Sequence, residues 1–201
     1  MQVAEPGEVN ADDRHDEADD PRVVRSRRII RAAALAELAE AGYGGFRIES
    51  VASRAGVGKS TIYRHWDGKL PLIEDALNVL NVQPSPDIDS GSVRHQIELV
   101  LVHLAEALAD SRLSSCLPAL VEAAEREPVV QKFLHEYSDR RRRTLTELIR
   151  RGMAAAEFAE DVDPELASRA LAGAIFYSRL VAGEPFDPDS VPVLVQSVLR
   201  P

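Results

Sequence analysis

Cysteine occurs once, at Cys116, so no disulfide can close within the chain; such usage fits a reducing compartment. No apolar run approaches the ~20 residues that a bilayer-spanning helix needs, and the N-terminus is acidic and polar, unlike a secretory leader. These features predict a soluble, cytoplasmic protein with no membrane partner. The five histidines are scattered, and none stands at metal-ligand spacing beside cysteine or acids. No base–nucleophile pair and no recognisable pair of carboxylates is present. Neither a metal, a cofactor nor a catalytic centre is therefore expected. Strand-like alternation is lacking too. Alanine and leucine dominate the 45% of hydrophobic residues, and the 201 residues read as an all-α chain of about nine helices.

The net charge of −9 conceals a strong asymmetry. Residues 1–20 carry −7, residues 21–69 carry +6, and residues 70–201 carry −8. Attraction to phosphate follows the local field rather than the total, so the chain has one end suited to nucleic acid and an acidic remainder. The first 20 residues have few large apolar groups and read as a disordered acidic tail.

Within 21–69, residues 48–66 (IESVASRAGVGKSTIYRHW) carry the densest information. Ile48, Val51, Ala52 and Ala55 recur at helical spacing on one face. Gly56 supplies a tight turn, with Val57 packed beneath it. A second short helix, about Lys59 to His65, turns Ile62 and Trp66 inward and offers Lys59, Ser60, Thr61, Tyr63, Arg64 and His65 on its other faces. This is the pattern of a helix-turn-helix, whose second helix enters the DNA major groove. A helix over 21–41 should precede it, opened by Asp20-Pro21, faced by Ile30, Ala34, Leu38 and Ala41, and ended at Gly42 in a left-handed cap. Phe46 is expected to plug the core of this three-helix head, and Trp66 to pack it against the helix that follows Asp67-Gly68.

The segment Ser53–Ser60 (SRAGVGKS) misses a phosphate-binding loop only at its first position, where Ser53 replaces Gly. Such a loop needs a strand before it, and the residues before it here have helical spacing. An ATP-binding enzyme is thus the rival from another class. A linker at 83–91 leads to five further helices near 92–110, 113–126, 128–157, 164–183 and 188–200.

Residues 25–77, RSRRIIRAAALAELAEAGYGGFRIESVASRAGVGKSTIYRHWDGKLPLIEDAL, resemble the tetracycline-repressor (TetR) family of bacterial transcription regulators. The resemblance lies in the A-G-Y helix ending, the V-A-x-x-A-G-V turn, T-I-Y-R-H-W and the following Lys69. The segment DPELASRALAGAIFYSRLVAGEPFDP (163–188) is similar to the ligand-binding domain of one subgroup. The resemblance implies a homodimeric repressor on a palindromic operator, released by a small molecule. It assigns 21–68 to DNA binding and 69–201 to effector binding and dimerisation.

Carried over position by position, it places Lys59, Ser60 and Thr61 at base edges and nearby phosphates. Tyr63 and His65 fall on phosphate, and Lys69 at a helix N-terminus that meets the backbone. Arg64 joins Lys59 and Ser60 as a candidate reader, because Gly58 at the head of the helix has no side chain to read with. Arg47 stands where the family usually has a Ser or Thr cap, and it offers a phosphate contact instead.

Four residues are ligand-binding candidates in the remainder: His103, Cys116, Tyr137 and Arg141. Arg141 falls on the stripe Leu134, Tyr137, Leu145, Leu148, Gly152, and a buried Arg needs an acidic partner or an anionic ligand. Leu171, Ile175, Phe176, Leu180, Val191, Leu194, Val195 and Val198 are expected to form a four-helix interface between two subunits through the last two helices. Two alternatives remain open: a regulator with no small-molecule input, and an activator.

Overall fold

The computed structural model describes residues 21–80, 91–109 and 111–200. The acidic tail and most of the linker expected at 83–91 lie outside the described residues. Among the described residues every regular element is helical. In chain order they are α1 (Pro21–Gly45), α2 (Ile48–Ala55), α3 (Lys59–His65), α4 (Lys69–Leu80), α5 (Val93–Ala109), α6 (Ser111–Ala124), α7 (Pro128–Ala154), α8 (Pro164–Tyr177) and α9 (Val191–Val198). A π turn at Ser178–Ala182 and a 3-10 turn at Pro188–Ser190 separate the last two. No helix among them is long and apolar enough to cross a membrane.

Local sequence explains the boundaries. The helical path of α1 breaks at Gly42, whose φ of 66° and ψ of 175° suit glycine alone. Its φ is positive as expected, but its ψ is extended, so the chain is re-aimed rather than capped in the left-handed helical well. Ile30, Ala34 and Leu38 are buried as the spacing predicts, whereas Ala41 is exposed. At α8 the Asp163 carboxylate accepts from the backbone N–H groups of Glu165 and Leu166 at 2.9 and 3.1 Å, ahead of Pro164 at the first helical position. Asp187 caps the 3-10 turn in the same way.

Packing centres on α1, which lies against α2, α4 and α6; α6 in turn packs on α7, and α7 on α5 and α8. The α1–α6 contact is tight enough for Cys116 Sγ to donate to the Leu35 carbonyl at 3.4 Å in a fully buried position. Farther along, the Glu157 carboxylate accepts from the N–H groups of Val93 and Arg94 at 3.0 and 3.2 Å, satisfying the open end of α5. Arg94 then donates to the Leu199 carbonyl at 3.0 Å and lies over the Phe158 ring. Three distant chain segments are thereby tied at one corner.

The apolar surface of the last two helices divides differently from the expectation. Leu171, Ile175, Val191 and Val195 are fully buried within the single chain, so they belong to its own core. Phe176, Leu194 and Val198 are half-buried against that core, and Leu180 sits at its edge. The large apolar groups left exposed here are Leu166, Tyr177, Leu180, Val181 and Val193. Both helices carry apolar residues on more than one face; α8 packs on α5 and α7, and α9 on α5 and α8.

Candidate functional site

The helix-turn-helix forms around Gly56, which adopts the left-handed conformation (φ 68°, ψ 33°) and directs its N–H to the end of α2. Ile62 is fully buried and Trp66 nearly so, which fixes the inner face of α3. The opposite face exposes Lys59, Ser60, Tyr63 and Arg64, with Thr61 and His65 half-buried. The segment Ser53–Ser60 therefore runs from helix through turn to helix. It lacks the preceding strand that a phosphate-binding loop requires, which removes the geometric basis for the ATP reading.

Several of these side chains already have partners. Lys59 Nζ donates to Glu49 Oε1 at 3.0 Å across the two helices, and this hydrogen bond holds the exposed Glu49 carboxyl below its ordinary pKa. Arg47 is exposed and extended at the start of α2 and makes no capping hydrogen bond from its side chain. Lys69 Nζ donates to the Tyr43 carbonyl at 3.2 Å and stands 3.8 Å above the Tyr43 ring, so it also pins the α1–α2 link to α4. Arg54 reaches back from α2 to α1, with its guanidinium 2.6 Å from Glu40 and 3.9 Å from the buried Glu37.

A second set of residues, which the sequence reading missed, fastens this head to the rest. Trp66 Nε1 donates to Asp75 on α4 at 2.8 Å, and Arg31 on α1 holds the same carboxylate through Nε at 2.9 Å and Nη2 at 3.0 Å. Burial alone would raise the pKa of Asp75; the hydrogen bonds from Arg31 and Trp66 and the charges of Arg31 and Arg27 outweigh it and lower the pKa. Next to Asp75, Glu74 on α4 accepts from Arg140 on α7 at 2.6 Å, and one turn on Asn78 accepts from Arg141 at 3.4 Å.

Arg141 also borders a cavity of about 430 Å³ that lies between α5, α6, α7 and α8 and is partly open to solvent. Its walls are almost wholly apolar on the α5 and α6 sides. On the α7 and α8 sides stand Tyr137, Ser138, Arg141, Arg142 and Arg169. Of the four candidates proposed from sequence, Tyr137 and Arg141 line this space. His103 and Cys116 are not on its wall: His103 lies on α5 with a buried Nε2 that has no hydrogen-bond partner among the described residues, and Cys116 faces α1. Arg142 was not singled out by sequence, because a run of four arginines on one helix covers every face; Arg169 stands alone on α8 and no local pattern marks it. Among the described residues no group of three or more His, Cys, Asp or Glu could hold a metal ion.

A helix-turn-helix with an exposed basic face, clamped to a helical body that holds an apolar cavity, defines a DNA-binding regulator. Residues 30–76 match the family described as bacterial regulatory proteins, tetR family, and residues 87–198 match the tetracyclin repressor-like C-terminal domain. The chain belongs to the TetR family of transcriptional regulators. Over 184 residues it is 29% identical to the HTH-type transcriptional regulator YdeS of Bacillus subtilis, covering 90% of this chain and 91% of that protein. It is 28% identical over 172 residues to the DNA-binding transcriptional repressor TetR of Mycobacteroides abscessus, covering 85% and 90%. Among solved structures it is similar in fold to FadR of Bacillus subtilis in complex with stearoyl-CoA, at a TM-score of 0.70 and 19% identity, covering 85% of this chain and 97% of that one.

Proposed function

We propose that the protein is a homodimeric transcriptional repressor that leaves a palindromic operator when a small molecule enters the α5–α8 cavity. Residues 21–68 form the DNA-binding unit, and 69–201 the effector-binding and dimerising unit. The observation that carries this reading is the position of α4. On one side Asp75 holds Trp66 at the end of the recognition helix, and on the other Glu74 holds Arg140 and Asn78 holds Arg141, which borders the cavity. A ligand that moves α7 pulls on α4, and α4 carries α3 with it.

Lys59, Ser60, Thr61 and Arg64 serve base edges and nearby phosphates; Arg47, Tyr63, His65 and Lys69 serve the phosphate backbone. Lys59 must leave Glu49 to do so. Two subunits pair through the exposed apolar groups of α8, the π turn and α9, and the recognition helices then stand about 34–36 Å apart, one turn of DNA. A ligand that favours another spacing abolishes simultaneous half-site contact, and the avidity of the dimer is lost. Switching from bound to released requires the ligand to distinguish the two states by about 5 kcal/mol.

The test is fluorescence or gel-shift binding to DNA from upstream of its own gene at a stated salt concentration, with Tyr63→Ala as control. Saturable nanomolar binding that resists competitor DNA and is lost in the variant is expected. Absence of specific binding there, and after selection from random DNA, overturns the reading.

A further inference from the structure

We infer that the molecule taken up by this cavity is an oxyanion-headed amphiphile: a hydrocarbon chain against α5 and α6, with a carboxylate or phosphate head against α7 and α8. The inference rests on the effector reading for the use of the cavity, and it adds the class of ligand.

Four features of the wall converge on this class. First, Val100, Leu104 and Leu108 recur every fourth residue along α5 and face Leu117 and Val121 of α6, forming a continuous apolar side. Such a side favours hydrocarbon, because it offers nothing to exchange for the water that a polar ligand would lose. Second, three arginines stand on the wall, Arg141, Arg142 and Arg169, and among the described residues the wall carries no Asp or Glu. Arg141 and Arg142 are half-buried and Arg169 is exposed, and their positive field repels a cation and draws an anion. The planar guanidinium matches a carboxylate or a phosphate through paired N–H groups.

Third, two buried groups of wall residues lack a hydrogen-bond partner among the described residues: the Tyr137 hydroxyl and the Nε of Arg142. Tyr137 is only 7% exposed, so bulk water does not serve that hydroxyl. Buried donors without an acceptor are rare and costly, and an oxyanion supplies the acceptor to both. Arg142 is oriented for this, since its Nη2 is held by Asp139 at 2.6 Å and lies 3.8 Å from Glu165, leaving the ε N–H unused. Arg169 lies one turn beyond Glu165 on α8 and is paired with no carboxylate among the described residues.

Fourth, size bounds the chain. At about 30 Å³ for a water-sized group, a cavity of 430 Å³ holds about fourteen non-hydrogen atoms, the size of a twelve-carbon carboxylate. A neutral hydrocarbon would leave both donors unmet, and a compact polyanion would face a wall of leucine and valine.

The experiment measures direct binding to the full-length protein by titration calorimetry, with dodecanoate, dodecyl phosphate and 1-dodecanol as probes of equal chain length. At least one anionic probe should bind about tenfold or more tighter than the alcohol. Which anion binds better decides between carboxylate and phosphate. Tyr137→Phe removes one oxygen, and Arg169→Gln removes one exposed charge. Each should weaken the anion about three- to tenfold and leave the alcohol unchanged, with operator binding and thermal unfolding unaltered. Equal affinity for the alcohol and the anions overturns the inference. So does equal weakening of all three probes by the variants, or no binding of any. Operator binding is followed in parallel to separate the two proposals. An anion that binds as described yet leaves the operator complex intact sustains the ligand class and sinks release. Release by the alcohol alone does the reverse.

Discussion

The indole N–H of Trp66, the residue that closes the recognition helix, donates to the carboxylate of Asp75 in the middle of α4 at 2.8 Å. That carboxylate also takes two hydrogen bonds from Arg31, and Arg27 lies both 3.7 Å from it and over the Trp66 ring. One acidic side chain thus joins α1, α3 and α4. A residue outside the helix-turn-helix itself therefore helps to set the orientation of α3.

Asp75→Asn should cost about 1–3 kcal/mol in urea unfolding, because the Arg31 guanidinium loses its charged acceptor. Trp66 is the sole tryptophan, so its fluorescence reports the same site directly. Because the pKa of Asp75 is lowered on folding, its stabilisation is complete above the ordinary carboxylate range. It is lost as pH falls below about 4 and passes through the lowered value. The wild type should lose this component on acidification, and the Asn variant should not show it. Parallel pH profiles for the two proteins would refute the clamp.

Lys59 and Glu49 are both exposed, so their ion pair contributes little to stability, but it occupies a candidate DNA contact. Glu49→Gln should tighten operator binding severalfold by freeing Lys59 and removing a negative charge facing the phosphates. Lys59→Ala should weaken binding and reduce the salt slope by about one. An unchanged slope would place Lys59 away from phosphate.

Gly152 lies in α7 directly beneath Phe158, and a Cβ there would overlap the ring. Phe158 is almost fully buried and cannot swing aside cheaply. Gly152→Ala should therefore destabilise the protein by about 1–3 kcal/mol, even though alanine favours helix. Thermal unfolding checks the sign.

Cys116 is fully buried, and burial pushes its thiol up to about 11. Iodoacetamide at pH 8 should leave the native protein unmodified and label it once it is unfolded in urea. Rapid native labelling would show that the α1–α6 contact opens readily.

Val193 is 65% exposed on α9 and lies in the apolar surface proposed to pair two subunits. Val193→Asp should preserve helicity and shift sedimentation toward the monomer, with operator affinity falling as avidity is lost. A variant that stays dimeric places the interface elsewhere.

How far the sequence reached follows the range of the interactions involved. The helix-turn-helix was legible because its determinants are local: Ile48, Val51, Ala52 and Ile62 at helical spacing, and the tight turn at Gly56. Tyr137 and Arg141 were legible as candidates because a charged group on an apolar stripe is anomalous by itself. The reading failed where a side chain's partner comes from a distant helix. Nothing in the order of residues pairs Asp75 with Trp66 and Arg31, or Glu74 with Arg140. It also misplaced His103 and Cys116 relative to the cavity, and it assigned Leu171, Ile175, Val191 and Val195 to a surface.

The sequence alone determined the helical class, the position of the helix-turn-helix and the separation of a basic segment from an acidic remainder. Each depends on spacing and charge within a few turns of chain. Tertiary structure alone decided which of two apolar faces on α8 and α9 is core, which arginines of the 140–143 run meet the cavity, and that a cavity of this size remains at all. Those outcomes depend on how closely α5, α6, α7 and α8 approach one another, and that distance is set by the summed packing of many side chains rather than by any local pattern.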